Sequence, residues 1–149
     1  MRKPKKTQYG DYAIWITFEI MGGYNVRLVF AKDLFKSAKD RIGSTPSENA
    51  DAFVYHVNDR GHSYIFLKPD STESTVSHEC WHIVHRVFKY CGVAEMDDEV
   101  VAYHLDYLVE KVYEFKKAIQ SRTKKRDKKD DQKSKRRAGG KAASKRRNR

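Results

Sequence analysis

The spacing of apolar positions changes part-way along the chain, from the two-residue alternation of strands to the three- and four-residue steps of helices. Residues 12–20 (YAIWITFEI) are rich in aromatic and β-branched side chains between turn formers, which predicts a strand. Gly22-Gly23 predicts a tight turn, and 25–30 (NVRLVF) an antiparallel partner. Over 32–42, Leu34, Phe35, Ala38 and Ile42 recur at helical spacing and stop at Gly43, a short helix; 44–49 reads as a loop. A second hairpin is predicted from 52–56 and 62–67, turning at 58–61 (NDRG) and ending at Pro69.

Two helices follow. Asp70, with Glu73 three residues on, spells a capping box that starts a helix running to Cys91, with Gly92 as its stop. On it Val76, Cys80, Ile83, Val84, Val87 and Cys91 form one apolar stripe, with His78, His82 and His85 on the other side. A further helix over 97–119 carries Val101, Leu105, Leu108, Val112, Phe115 and Ile119 in alternating steps of four and three. That seam wants either a partner helix, which would make a homo-oligomer, or the rest of the core. The expected fold is α+β: a small antiparallel sheet of two hairpins packed against a short helix, the histidine helix and a long C-terminal helix.

Charge divides the chain. Lys and Arg number 31 against 20 Asp and Glu; 15 and 3 of these fall in 121–149, leaving 16 and 17 for 1–120. The first 120 residues are thus near neutral, and the basic character belongs to a C-terminal segment with no aromatic residue. Such a segment cannot bury enough apolar surface to fold, so 121–149 is expected to be a disordered basic tail that touches polyanions, above all nucleic acid, without reading sequence. The domain reading is a flexible basic N-terminus over 1–9, a folded domain over 10–120 and the tail. Cys80 and Cys91 stand about 16 Å apart along one predicted helix, too far for a disulfide. With no apolar run of membrane-spanning length and no secretory leader, the expected setting is the cytoplasm or, given the tail, a nucleic-acid-containing particle such as a virion.

The chemistry concentrates in His78-Glu79-Cys80-Trp81-His82, an H-E-x-x-H pattern. Residues i and i+4 share a helix face, about 6 Å apart along the axis, so both imidazoles can reach one metal ion. Glu79 lies about 100° round the helix, an offset that suits a carboxylate taking a proton from metal-bound water. A shuffled chain with six His and eight Glu would contain the pattern about once in a hundred, so chance is a weak explanation. His/His/carboxylate ligation suits zinc better than magnesium or calcium. The candidate third ligand is Glu99, 17 residues after His82 and beyond a turn containing Gly92; Asp98 and His104 compete with it, and His85 is more than about 10 Å from His78 along the axis. Glu99, Ala102, Tyr103 and Asp106 all lie away from the heptad seam, so a metal site using Glu99 requires that polar side to face the histidines.

His78-Glu79-Cys80-Trp81-His82, the apolar helix after it, and Asp98-Glu99-Val100-Val101-Ala102-Tyr103 resemble the small zincin-like metallopeptidase proteins encoded by tailed phages and prophages. They are also similar, more loosely, to the gluzincin arrangement of H-E-x-x-H on one helix and Glu-x-x-Ala on the next. The resemblance covers 63–113 and implies His78 and His82 as zinc ligands, Glu79 as general base and Glu99 as third ligand. It departs at Tyr103, where some larger gluzincins carry an Asp that supports the metal ligands; Asp106 is the alternative here.

Three functions stay open on the sequence: a zinc metallopeptidase with a basic tether, a catalytically inactive virion or nucleic-acid-associated binding protein, and a DNA-associated regulator that cleaves a bound protein. For the first, zinc would lower the pKa of its water toward 7 while Glu79 accepts the proton and returns it to the leaving amine. Tyr103, His104 and Tyr107 are the candidate oxyanion donors, with Tyr103 first among them. The strand over 62–67 leads into the histidine helix, so its edge would hold an extended peptide by strand addition, which points to a protein or peptide substrate.

Overall fold

Alternation along the strands decides the layers of the fold. The structure, a computed structural model, describes residues 6–8, 10–19, 22–47, 49–57, 61–93, 95 and 97–145, with side chains as far as 122. Strands β1 (Tyr12–Phe18) and β2 (Tyr24–Phe30) form the first hairpin, β3 (Ala52–Val57) and β4 (His62–Leu67) the second. Gly22 and Gly23 both have positive φ, 66° and 76°, as the Gly-Gly turn requires, and Gly23 N–H donates to the Phe18 carbonyl at 3.2 Å. Of the second turn, 58–60 lie outside the described residues.

The sheet is mixed, not antiparallel throughout. Its order is β1-β2-β4-β3, and the hairpins meet through a parallel β2/β4 pair in register from Asn25↔His62 to Phe30↔Leu67. The parallel joint arises because the chain crosses one face of the sheet through α1 (Leu34–Ile42) before the second hairpin begins. Asp33 caps α1, its Oδ1 accepting from Lys36 N–H at 2.9 Å, and Gly43 ends it in the left-handed conformation at φ 66°.

One set of alternate residues, Val29 and Phe66 with Ala13 and Phe53 beside them, packs against Leu34 and Ala38 of α1. The other set, including Ile16, Val26, Leu28, Phe30, Ile65 and Leu67, is buried on the opposite face, where Phe30 meets Phe115 with ring centroids 5.8 Å apart. That face is covered by α2 (Glu73–Tyr90), which packs over β3 and β4, and by the first part of α3 (Asp98–Lys145).

Helix α2 starts later than the Asp70 box predicts. Ser71 N–H donates to the Lys68 carbonyl at 3.1 Å, closing a turn through Pro69 and Asp70, and Ser71 Oγ bonds the Asp51 carbonyl at 3.0 Å. Thr72, with extended backbone, then caps the helix by accepting from Thr75 N–H. Asp97 does the same for α3, its Oδ1 accepting from Glu99 and Val100 N–H at 3.0 and 3.2 Å.

The chain divides into two compact units, Met1–Lys116 and Lys117–Arg149. In the first, the seam residues Val101, Leu108, Val112 and Phe115 are buried, so this part of the apolar seam is satisfied inside the chain. In the second unit the backbone is helical as far as Lys145. Lys, Arg, Gln and Ala are good helix formers, and no proline interrupts them. Of the N-terminal nine residues, expected to be flexible, 1–5 and 9 lie outside the described residues. Lys6 pairs with Tyr12, and Thr7 N–H donates to the Asp11 carbonyl at 2.8 Å.

Candidate metal centre

His78 and His82 project from the solvent side of α2, one helical turn apart, and both are exposed. Their rings stand nearly perpendicular, 87° between planes and 4.6 Å between centroids, which brings Nε2 to Nε2 at 3.1 Å. Two imidazole nitrogens sharing a tetrahedral zinc, each about 2.05 Å from it, lie about 3.3 Å apart, so the pair matches one edge of that polyhedron. Without a metal, the same contact is a hydrogen bond in which one Nε2–H donates to the other ring.

Glu79 sits where its 100° offset puts it, on the buried side of α2 with Val76, Cys80 and Ile83. Burial pushes its carboxyl above the ordinary range, and the neighbouring imidazoles of His78 and His82 pull it part of the way back. A carboxylate held this way takes up a proton more readily than a solvated one. Cys80, beside it, is unreactive: burial, then the Glu79 charge, pushes its thiol up to about 12.

The structure does not bring the expected third ligand to this pair. Among the described residues no three His, Cys, Asp or Glu side chains converge on one point. The reason lies in the rotation of α3: the core captures Val101 and Leu108, which leaves Glu99 exposed on the polar side. Asp98 is exposed as well. His104 is engaged elsewhere, stacked on Phe18 at 6.0 Å and meeting the edge of Phe88 at 5.4 Å, with its Nδ1–H donating to the Val100 carbonyl at 2.7 Å. Tyr103 and Tyr107, with Thr17, Phe18, Glu19 and His104, line a cleft of about 460 Å³ at the end of β1; neither His78 nor Glu79 is part of it. The side chain of Asp106 is exposed on the same polar side of α3.

A group that sequence reading missed lies next to α2. His56 on β3 faces the α2 side of the sheet, where its Nδ1 is 2.7 Å from Ser63 Oγ, and Ser63 Oγ is 2.5 Å from the Tyr24 hydroxyl. Burial, reinforced by the nearby charges of Arg86 and His82, pushes the His56 imidazole down to about 4, so it is neutral at pH 7. The signal was available in the alternation: Ala52, Val54 and His56 fall on one side of β3, which places a titratable residue on an inward-facing row. Nearby, the Tyr113 hydroxyl is buried without a hydrogen-bond partner, and burial, then the charges of Glu73 and Cys80 on α2, pushes it up.

The strand edge expected to hold a peptide, that of 62–67, is not free: β4 is paired on both sides, by β2 and by β3. Among the described residues the sheet ends at β1 and β3, and β3 is the end that α2 covers.

No family model matches the chain, and no curated protein or solved structure matches it. No described helix is long and apolar enough to cross a membrane.

Proposed function

We propose that α2 carries a zinc-dependent hydrolase site acting on peptide bonds, with His78 and His82 as protein ligands and Glu79 as general base. The observation that carries this reading is the 3.1 Å separation of the two Nε2 atoms, on a face that solvent can reach. Bound there, zinc would supply Lewis acidity and a water of lowered pKa. Glu79, with its carboxyl raised by burial, would hold the proton taken from that water and deliver it to the leaving amine. The edge of β3, beside α2, would align an extended peptide by strand addition.

Purified protein reconstituted with zinc, freed of excess metal and measured by elemental analysis tests the ligand set. About one zinc per chain is expected in the parent and in Glu79→Gln, and none in His78→Ala or His82→Ala. Zinc-loaded parent should cleave an unfolded protein substrate, and Glu79→Gln should lower the rate about a hundredfold or more. A parent protein that holds no zinc sinks the proposal.

A second reading draws on the histidine pair, which no third ligating side chain joins among the described residues. If the histidine pair is only hydrogen-bonded, the chain is a binding protein whose basic segment contacts nucleic acid, and the elemental analysis then finds no zinc in any variant.

A further inference from the structure

The sheet face that carries α1 is only partly covered. α1 lies over the row Ala13, Val29, Phe66 and Phe53, one residue from each strand in register. The next row on the same face is Trp15, Arg27, Tyr64 and Tyr55, again in register across all four strands. Trp15 is 50% exposed, and the other three are partly exposed. The guanidinium of Arg27 lies 5.0 Å from the centre of the Trp15 ring, and Tyr64 and His62 meet that ring at 6.1 and 6.0 Å. These contacts engage part of the indole and leave half of its surface open to solvent.

We infer that this face binds single-stranded nucleic acid, with Trp15 and Tyr64 as stacking surfaces for unpaired bases and Arg27 as the cation between them. Three features of this surface select that partner. Aromatic rings on an open sheet stack on any base, and a duplex hides its bases from them. The Trp15 and Tyr64 rings, with centroids 6.1 Å apart and planes tilted by 56°, form one joined aromatic surface across β1, β2 and β4. Among the described residues, the row and its neighbour Thr17, Asn25, His62 and Val57 carry the Arg27 cation and no carboxylate, so nothing in these two rows repels a phosphate backbone. The 15 Lys and Arg of 121–149 add sequence-independent attraction through the chain they belong to, and the sheet supplies the stacking that this segment, lacking aromatics, cannot. This assignment is independent of the metal site on α2.

The test is fluorescence anisotropy of a short labelled single-stranded oligonucleotide and of the same strand in a duplex. Full-length protein is used at about 0.3 M salt, where phosphate contacts are weakened. The single strand is expected to bind about tenfold more tightly than the duplex. Trp15→Ala and Tyr64→Ala should each lose about tenfold in affinity for it. Trp15→Phe should retain most of the affinity, which separates stacking from a folding defect. Trp81→Ala, which removes a 45% exposed tryptophan from α2, should bind like the parent. Equal affinity for strand and duplex would leave only the basic segment as the binder and overturn the proposal. So would a Trp15→Ala protein that binds like the parent, or no binding to either oligonucleotide, the result expected of a face that docks a protein.

Discussion

Glu99 and Val101, two residues apart on α3, point to opposite sides of the helix: Val101 is buried against the core and Glu99 is exposed. Two residues rotate a helix by about 200°, so one cannot enter the core without turning the other out. Glu99→Ala is therefore expected to keep the zinc content of the parent, while His78→Ala loses it. An elemental analysis in which Glu99→Ala also loses zinc would mean that α3 turns its polar side to α2 when metal binds.

Asp11 and Arg41 form a bidentate ion pair between the start of β1 and the end of α1, both side chains less than a tenth exposed. Burial alone would raise the Asp11 carboxyl; hydrogen bonds from Arg41, Ser37 and Thr7 outweigh it and hold the group below its ordinary value of 3.8. Asp11→Asn leaves Arg41 without its counter-charge and should cost about 3 kcal/mol in denaturant unfolding. Because the folded-state value is depressed, the Asp11 contribution is complete above the ordinary carboxylate range and lost as pH falls through the folded value. The stability gap between parent and Asp11→Asn should thus stay constant from neutral pH down to that range and narrow below it. A gap that widens on acidification would contradict the ion pair.

Gly61 has φ 56°, and a Cβ placed there would stand 2.7 Å from the Tyr90 hydroxyl. Its carbonyl also accepts from Asn25 N–H at 3.0 Å, which joins the second turn to the first hairpin. Gly61→Ala pays for the left-handed backbone and pushes Tyr90 aside, a loss of about 1–2 kcal/mol. Tyr90→Ala in the same background should recover only the steric part. If Gly61→Ala unfolds at the same denaturant concentration as the parent, this packing is incorrect.

The start of α2 separates two capping residues by measurement. Thr72→Ala should destabilise the protein by about 1 kcal/mol, because it removes the acceptor for Thr75 N–H. Asp70→Ala, at an exposed turn position, should change stability by less than about 0.5 kcal/mol. The reverse order would restore the Asp70 capping box.

By itself the sequence determined what nearest neighbours decide. The glycine pair between β1 and β2, the Asp33 and Gly43 ends of α1, and the strand and helix periods all follow from interactions within a few residues. The His78/His82 geometry belongs to this class, since any helix brings i and i+4 together. Only the tertiary structure decided which surfaces meet. The parallel β2/β4 joint made β3 an outer strand and put β4 inside; Arg41 found Asp11 across 30 residues; and His56 came to lie near α2. The rotation of α3 was settled by Val101, Leu108, Val112 and Phe115 entering one core, and Glu99 followed wherever that left it. Burying four large apolar side chains stabilises by several kcal/mol, more than one exposed carboxylate gains from any single partner at the surface, so the core sets the helix and the site takes what remains.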